Sequence, residues 1–140
     1  DHLGDYGPVR VGAVISEKVV DDGVNGLGAV LAGGFDEVVV DLGTGRPNQS
    51  FLDAVRSIAV RRPCYLALRR SVRDGLTPDG IIVISEPGRA LSADDVARCV
   101  GAPVLATVTT DPTVARAVDA GLLLSRLPAS LRALSTALPT

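Results

Sequence analysis

The sequence predicts an α/β fold: a three-layer, doubly wound, mostly parallel sheet of about five strands with helices on both faces. Three observations lead there. Short apolar runs such as Val38-Val39-Val40 and Ile81-Ile82-Val83-Ile84 lack polar alternation, so they read as strands covered on both faces. The segments between them carry apolar residues at helical spacing and are bounded by capping residues. Strands alternating with helices imply right-handed βαβ units. A length of 140 residues is enough for one such domain with a single core.

Residues 1–8, polar and glycine-rich, read as a flexible lead-in, and 9–140 as a single α/β domain. Val9 to Ile15 is a first strand, and Ser16 to Asn25 a loop of mixed charge. Gly26 to Ala32 is a short helix stopped by the Gly33-Gly34 pair. A second strand, Glu37 to Asp41, ends on a carboxylate, and a Gly43-Thr44-Gly45 turn follows it. Beyond Pro47, Ser50 to Val55 suits a helix capped by Asn48 or Ser50. Ser57 to Arg61 is a third strand. Pro63 is placed to start a helix in its first turn, with Gly75 as its stop. Gly80 to Ser85 is the fourth strand. Ser92-Ala93-Asp94-Asp95 opens a helix with acids where the dipole favours them, and Gly101 closes it. Pro103 to Val108 is the fifth strand, Asp111-Pro112 opens a helix, and a last helix runs from about Pro128 toward Leu138.

Composition narrows the function. Only Phe35, Phe51, Tyr6 and Tyr65 are aromatic, so the core is aliphatic and a base-stacking platform is hard to build. The net charge of −2 gives no strong overall attraction to polyanions. Lys18 is the sole lysine, and the arginine, alanine and valine usage suggests a GC-rich coding genome. There is neither a membrane-spanning apolar run nor a basic-then-apolar leader, so the expected location is cytoplasmic. Cys64 and Cys99 lack metal-ligand spacing and read as two buried thiols. His2, the lone histidine, lies in the lead-in, which removes a Ser-His-Asp triad and a histidine metal centre.

In such sheets ligands sit beyond the carboxyl ends of the strands. Asp41 is there, either as a carboxylate orienting a magnesium-bound water or as a cap on the amides that follow it. Ser16 to Gly28 stands where a phosphate loop would, but Lys18 is too early and Asp21 and Asp22 would repel phosphate. Arg69, Arg70 and Arg73, near Arg61 and Arg62, form the densest positive patch, either a surface for an anionic partner such as nucleic acid or a solvated helix face. Glu86-Pro87-Gly88-Arg89 is a turn that sets a carboxylate and a guanidinium at the same edge. Leu127, Leu131, Leu134 and Leu138 form a stripe that core packing explains, with Arg126 and Arg132 alone as basic flanks.

The order of these segments resembles the MinD/ParA-like division of P-loop ATPases, including actinobacterial septum-site-determining and CpaE-like proteins. Phe35 to Gly45 is similar to their second nucleotide strand and switch turn, Arg62 to Arg70 to a strand exit into a helix, and Val104 to Gly121 to the late strand with its base-side loop. The resemblance spans about residues 30–128. It implies a nucleotide site touching Asp41, Gly43, Gly45, Thr109 and Asp111, with magnesium at Asp41. No Gly-x-x-x-x-Gly-Lys-Ser/Thr loop occurs, and Thr109-Thr110-Asp111 replaces the usual Pro-x-Asp. The resemblance without the loop implies a pseudo-ATPase that acts by binding protein partners, a homodimer among them, without a cofactor. An ATPase using ATP and magnesium through an atypical loop, or an arginine-patch nucleic-acid adaptor, are the alternatives.

Overall fold

The computed structural model describes residues 39–44, 49–123 and 125–137. The chain divides into two compact units, Asp1–Ala54 and Val55–Thr140. The expected strand at Val9 to Ile15, the Ser16 to Gly28 loop, the helix at Gly26 to Ala32, Gly45 and Leu138 all lie outside the described residues.

In the first unit, Val39 to Leu42 form no strand, and Val39 is 80% exposed. The expected buried strand is corrected over these residues, Glu37 and Val38 being outside the description. Valine suits a pleated, half-buried surface, but a strand exists only where a ladder partner holds it. The helix α1, Gln49–Ala54, begins at the expected place, and Gln49 Nε2 donates to Asp53 Oδ1 at 2.8 Å one turn on. Phe51 on this helix is buried.

The second unit is an α/β layer structure around a three-stranded parallel sheet in the order β1-β2-β3. The strands are β1 (Ile58–Arg61), β2 (Gly80–Ser85) and β3 (Val104–Thr109). Between and after them come α2 (Tyr65–Asp74), α3 (Ala93–Val100), α4 (Pro112–Asp119) and α5 (Ala129–Ala137). Ile58 pairs with Gly80 and Arg61 with Val83; Ile81 pairs with Val104, and a bulge follows before Ile82 meets Ala106.

The unalternating apolar run of β2 has its expected cause. Ile81 and Val83 point one way, into a core with Leu68 of α2, Val96 of α3 and Ala102. Ile82 points the other way and is buried too, so both faces of β2 are covered. At β1 only one face is covered: Ile58 and Val60 are 37% and 55% exposed, while Ala59 and Arg61 are half-buried. Arg61 Nε reaches across to Ser71 Oγ on α2 at 3.0 Å, and Ser71 Oγ in turn donates to Ala67 O. A second clasp holds the opposite ends of β1 and β2. Asp79 Oδ2 accepts from Ser57 N at 2.7 Å and from Ser57 Oγ at 2.9 Å.

The helix boundaries follow local chemistry. Ser92 and Asp95 form a reciprocal capping box on α3: Ser92 Oγ accepts from Asp95 N at 3.2 Å, and Asp95 Oδ2 accepts from Ser92 N at 2.8 Å. Ser92→Ala is therefore expected to cost about 1 kcal/mol of stability, read from urea midpoints; an unchanged midpoint would show that the box contributes nothing. Gly75 ends α2 in the left-handed region at φ 63°, its N–H returning to Ser71 O. One boundary is corrected. Pro63 stands before Cys64, the residue at the cap position of α2, and not in the first turn. Proline fixes only its own φ and removes one donor, which suits the residue ahead of a cap as well as the first turn. Among the described residues no helix is long and apolar enough to cross a membrane.

Candidate functional site

The carboxyl ends of three parallel strands bring Arg62, Glu86 and Asp111 to one edge of the second unit. Thr110 N, just past β3, donates to Ser85 O at the end of β2 at 2.9 Å, which joins the two exits. Glu86 sits in the turn after β2 and takes both neighbouring guanidiniums. Its Oε1 lies 3.1 Å from Arg62 Nη1, and its Oε2 accepts from Arg89 Nε at 2.8 Å and from Arg89 Nη2. The Arg89 hydrogen bond, with the charges of Arg89 and Arg62, holds the Glu86 carboxyl below the ordinary range. The sequence suggested Glu86 and Arg89 through their turn; Arg62 joins them only because the strands are parallel neighbours.

Asp111 caps α4 and has both oxygens engaged. Oδ1 accepts from Thr113 N at 2.8 Å, and Oδ2 from Thr113 Oγ1 at 2.6 Å and from Ser130 Oγ of α5 at 3.1 Å. These bonds, Thr113 foremost, lower its pKa. Thr109 is the exposed last residue of β3, paired with Ser85. In the first unit, Gly43 N donates to Asp41 Oδ1 at 2.8 Å, and Gly43 lies at φ 57°. This is the local turn that a strand-terminal aspartate makes with the second residue after it.

Four carboxyls share one electrostatic character. Asp79 and Asp95 are lowered first by the backbone N–H of Ser57 and Ser92, Asp111 first by the Thr113 hydroxyl, and Glu86 first by the Arg89 guanidinium. A carboxyl with a folded pKa below its unfolded value adds stability that is full above the unfolded value of about 4. It is lost as the pH falls through the folded value. The thermal midpoint is expected to stay level from about pH 7 to 5 and to drop by about pH 3. A midpoint unchanged at about pH 3 would show that these bonds carry no net stability.

The arginine patch is less bare than its sequence density suggests. Arg70 Nε and Arg73 Nε lie 3.5 and 3.4 Å from the two oxygens of Asp74. Arg69 instead borders an apolar groove with Tyr65, Leu68, Val72, Leu91 and Cys99. Tyr65, Leu66 and Val72 are 69%, 73% and 63% exposed along α2. Cys99, expected to be buried, is exposed, because α3 turns Val96 to the core and leaves Cys99 outward. Both cysteines are free thiols. Among the described residues no three His, Cys, Asp or Glu side chains gather as a metal site.

A second cluster had no sequence signal beyond its residues. Arg116 of α4, Arg126 of the connecting turn and Arg132 of α5 line one groove of about 360 Å³ beside Leu122, Leu127 and Pro128. Compared with known proteins, the chain matches no family model, no curated protein and no solved structure.

Proposed function

We propose that this chain is a non-catalytic, MinD/ParA-like domain that works by binding protein partners in cell division, partitioning or secretion-system positioning. The fold of this reading is a three-layer, doubly wound, mostly parallel sheet with helices on both faces, and its location is cytoplasmic. The observation that carries the reading is the apolar row on α2. Tyr65 and Val72 stand largely in solvent and line a groove with Leu68, Leu91 and Cys99, Arg69 being the charged side chain at its border. Leu66 is exposed on the same helix. Contiguous exposed apolar surface of this kind marks a contact face. The engagement of Asp111 by Thr113 and Ser130 supports the same reading, since neither oxygen is left without a donor.

Two measurements test it. Titration calorimetry with magnesium and ATP is expected to show no binding that depends on Asp41; micromolar binding that disappears in Asp41→Ala would make the chain a nucleotide enzyme. Sedimentation is expected to show association that is lost in the triple change Tyr65→Ser, Leu66→Ser and Val72→Ser. Association unaltered by those changes would remove α2 as the contact face.

A further inference from the structure

We infer that the groove between α4 and α5 is a binding site for a phosphate chain, of the size and charge of a diphosphate. Arg116, Arg126 and Arg132 converge on it from a helix, a connecting turn and a second helix. Among the described residues no acidic side chain lines it. Among the described residues, neither Arg116 nor Arg126 forms an ion pair with a carboxylate. The charge of Arg116 acts on the Asp111 carboxylate, which is already held by Thr113 and Ser130. Arg132 Nε donates to Leu127 O at 3.1 Å, which ties that guanidinium to the groove wall.

Like charges on low-dielectric walls focus the field into a cleft. Leu122, Leu127 and Pro128 supply such walls. Ala129, the first residue of α5, also lines the groove, so the positive end of that helix adds to the guanidiniums. A volume of about 360 Å³ lies within the range of small-ligand sites and exceeds what a single phosphate needs. Guanidiniums bind phosphate oxygens in paired, charge-assisted hydrogen bonds, so three of them suit two linked phosphates.

The test is titration calorimetry on the full chain in phosphate-free buffer of low ionic strength, with inorganic pyrophosphate as the probe. Pyrophosphate is expected to bind about tenfold more tightly than orthophosphate, and Arg126→Gln to weaken it about tenfold. Arg98→Gln, on α3 and paired with Asp95, is expected to leave it unchanged. A second arm with ADP separates the two sources of a phosphate chain. Equal affinity for ADP supports a free phosphate chain, and tighter ADP binding supports a nucleotide with its nucleoside on Leu122 and Leu127. Asp41→Ala is expected to retain binding in both arms, which keeps this site distinct from any magnesium–nucleotide site at Asp41. No binding of pyrophosphate at millimolar concentration, or equal weakening by Arg98→Gln and Arg126→Gln, would overturn the assignment.

Discussion

Ile81→Ala is expected to destabilise the protein by about 3 to 4 kcal/mol, measured as a fall in the urea midpoint with an unchanged slope. Ile81 is 0% exposed and sits among Leu68, Val83, Val96 and Ala102. Removing most of its side chain takes away buried apolar atoms and leaves a cavity that a parallel strand cannot close, because both ladders of β2 hold its backbone in place. Ile81→Val should cost only about 1 kcal/mol. A domain stable by about 5 to 15 kcal/mol would lose a large share to the alanine change. A loss below about 1 kcal/mol for alanine would show that the core about Ile81 is loosely packed.

The opposite error, overfilling, is expected at Gly80. A Cβ placed there would stand 2.5 Å from Leu105 Cγ and closer still to Leu105 Cδ1. Glycine is required by this contact with the neighbouring strand and not by its own dihedral angles, since Gly80 is outside the positive-φ glycines. Gly80→Ala should cost about 1 to 3 kcal/mol, as for other overpacked sites, and Gly80→Val more. The double change Gly80→Ala, Leu105→Ala should cost less than the sum of the two singles, because truncating Leu105 removes the clash and the new methyl fills part of the space that it leaves. Strict additivity in that cycle would place the cost of Gly80→Ala elsewhere.

Features that depend on a few consecutive residues were legible from the chain. The helix start at Ser92 to Asp95, the Asp111-Pro112 start and the Gly75 and Gly101 stops each rest on bonds within one turn. β2 was legible as well, since burial on both faces removes the need for polar alternation. Val39 was misread because three valines state a preference and not a partner. Cys99 was misread because apolar character alone does not say which face of α3 meets the sheet.

The candidate sites were less legible than the elements. Asp41 and Asp111 could be named because a carboxylate at an expected strand end or helix start is a local signal, and each makes the local bond its position favours. The Ser57–Asp79 clasp, the Arg62–Glu86–Arg89 cluster, the Ser130–Asp111 bond and the three-arginine groove join residues from separate elements. No local rule sets their distances.

The sequence by itself determined the α/β class and the ends of most helices in the second unit, because hydrophobic period and capping act over a handful of residues. Only the tertiary structure decided which charges meet. Parallel pairing set Arg62 beside Glu86, the packing of α5 set Ser130 on Asp111, and the turn after α4 gathered Arg116, Arg126 and Arg132 around one groove. The physical reason is range. A cap is satisfied by its neighbours in the chain, whereas an ion cluster or a groove exists only once packing has fixed the distances between elements.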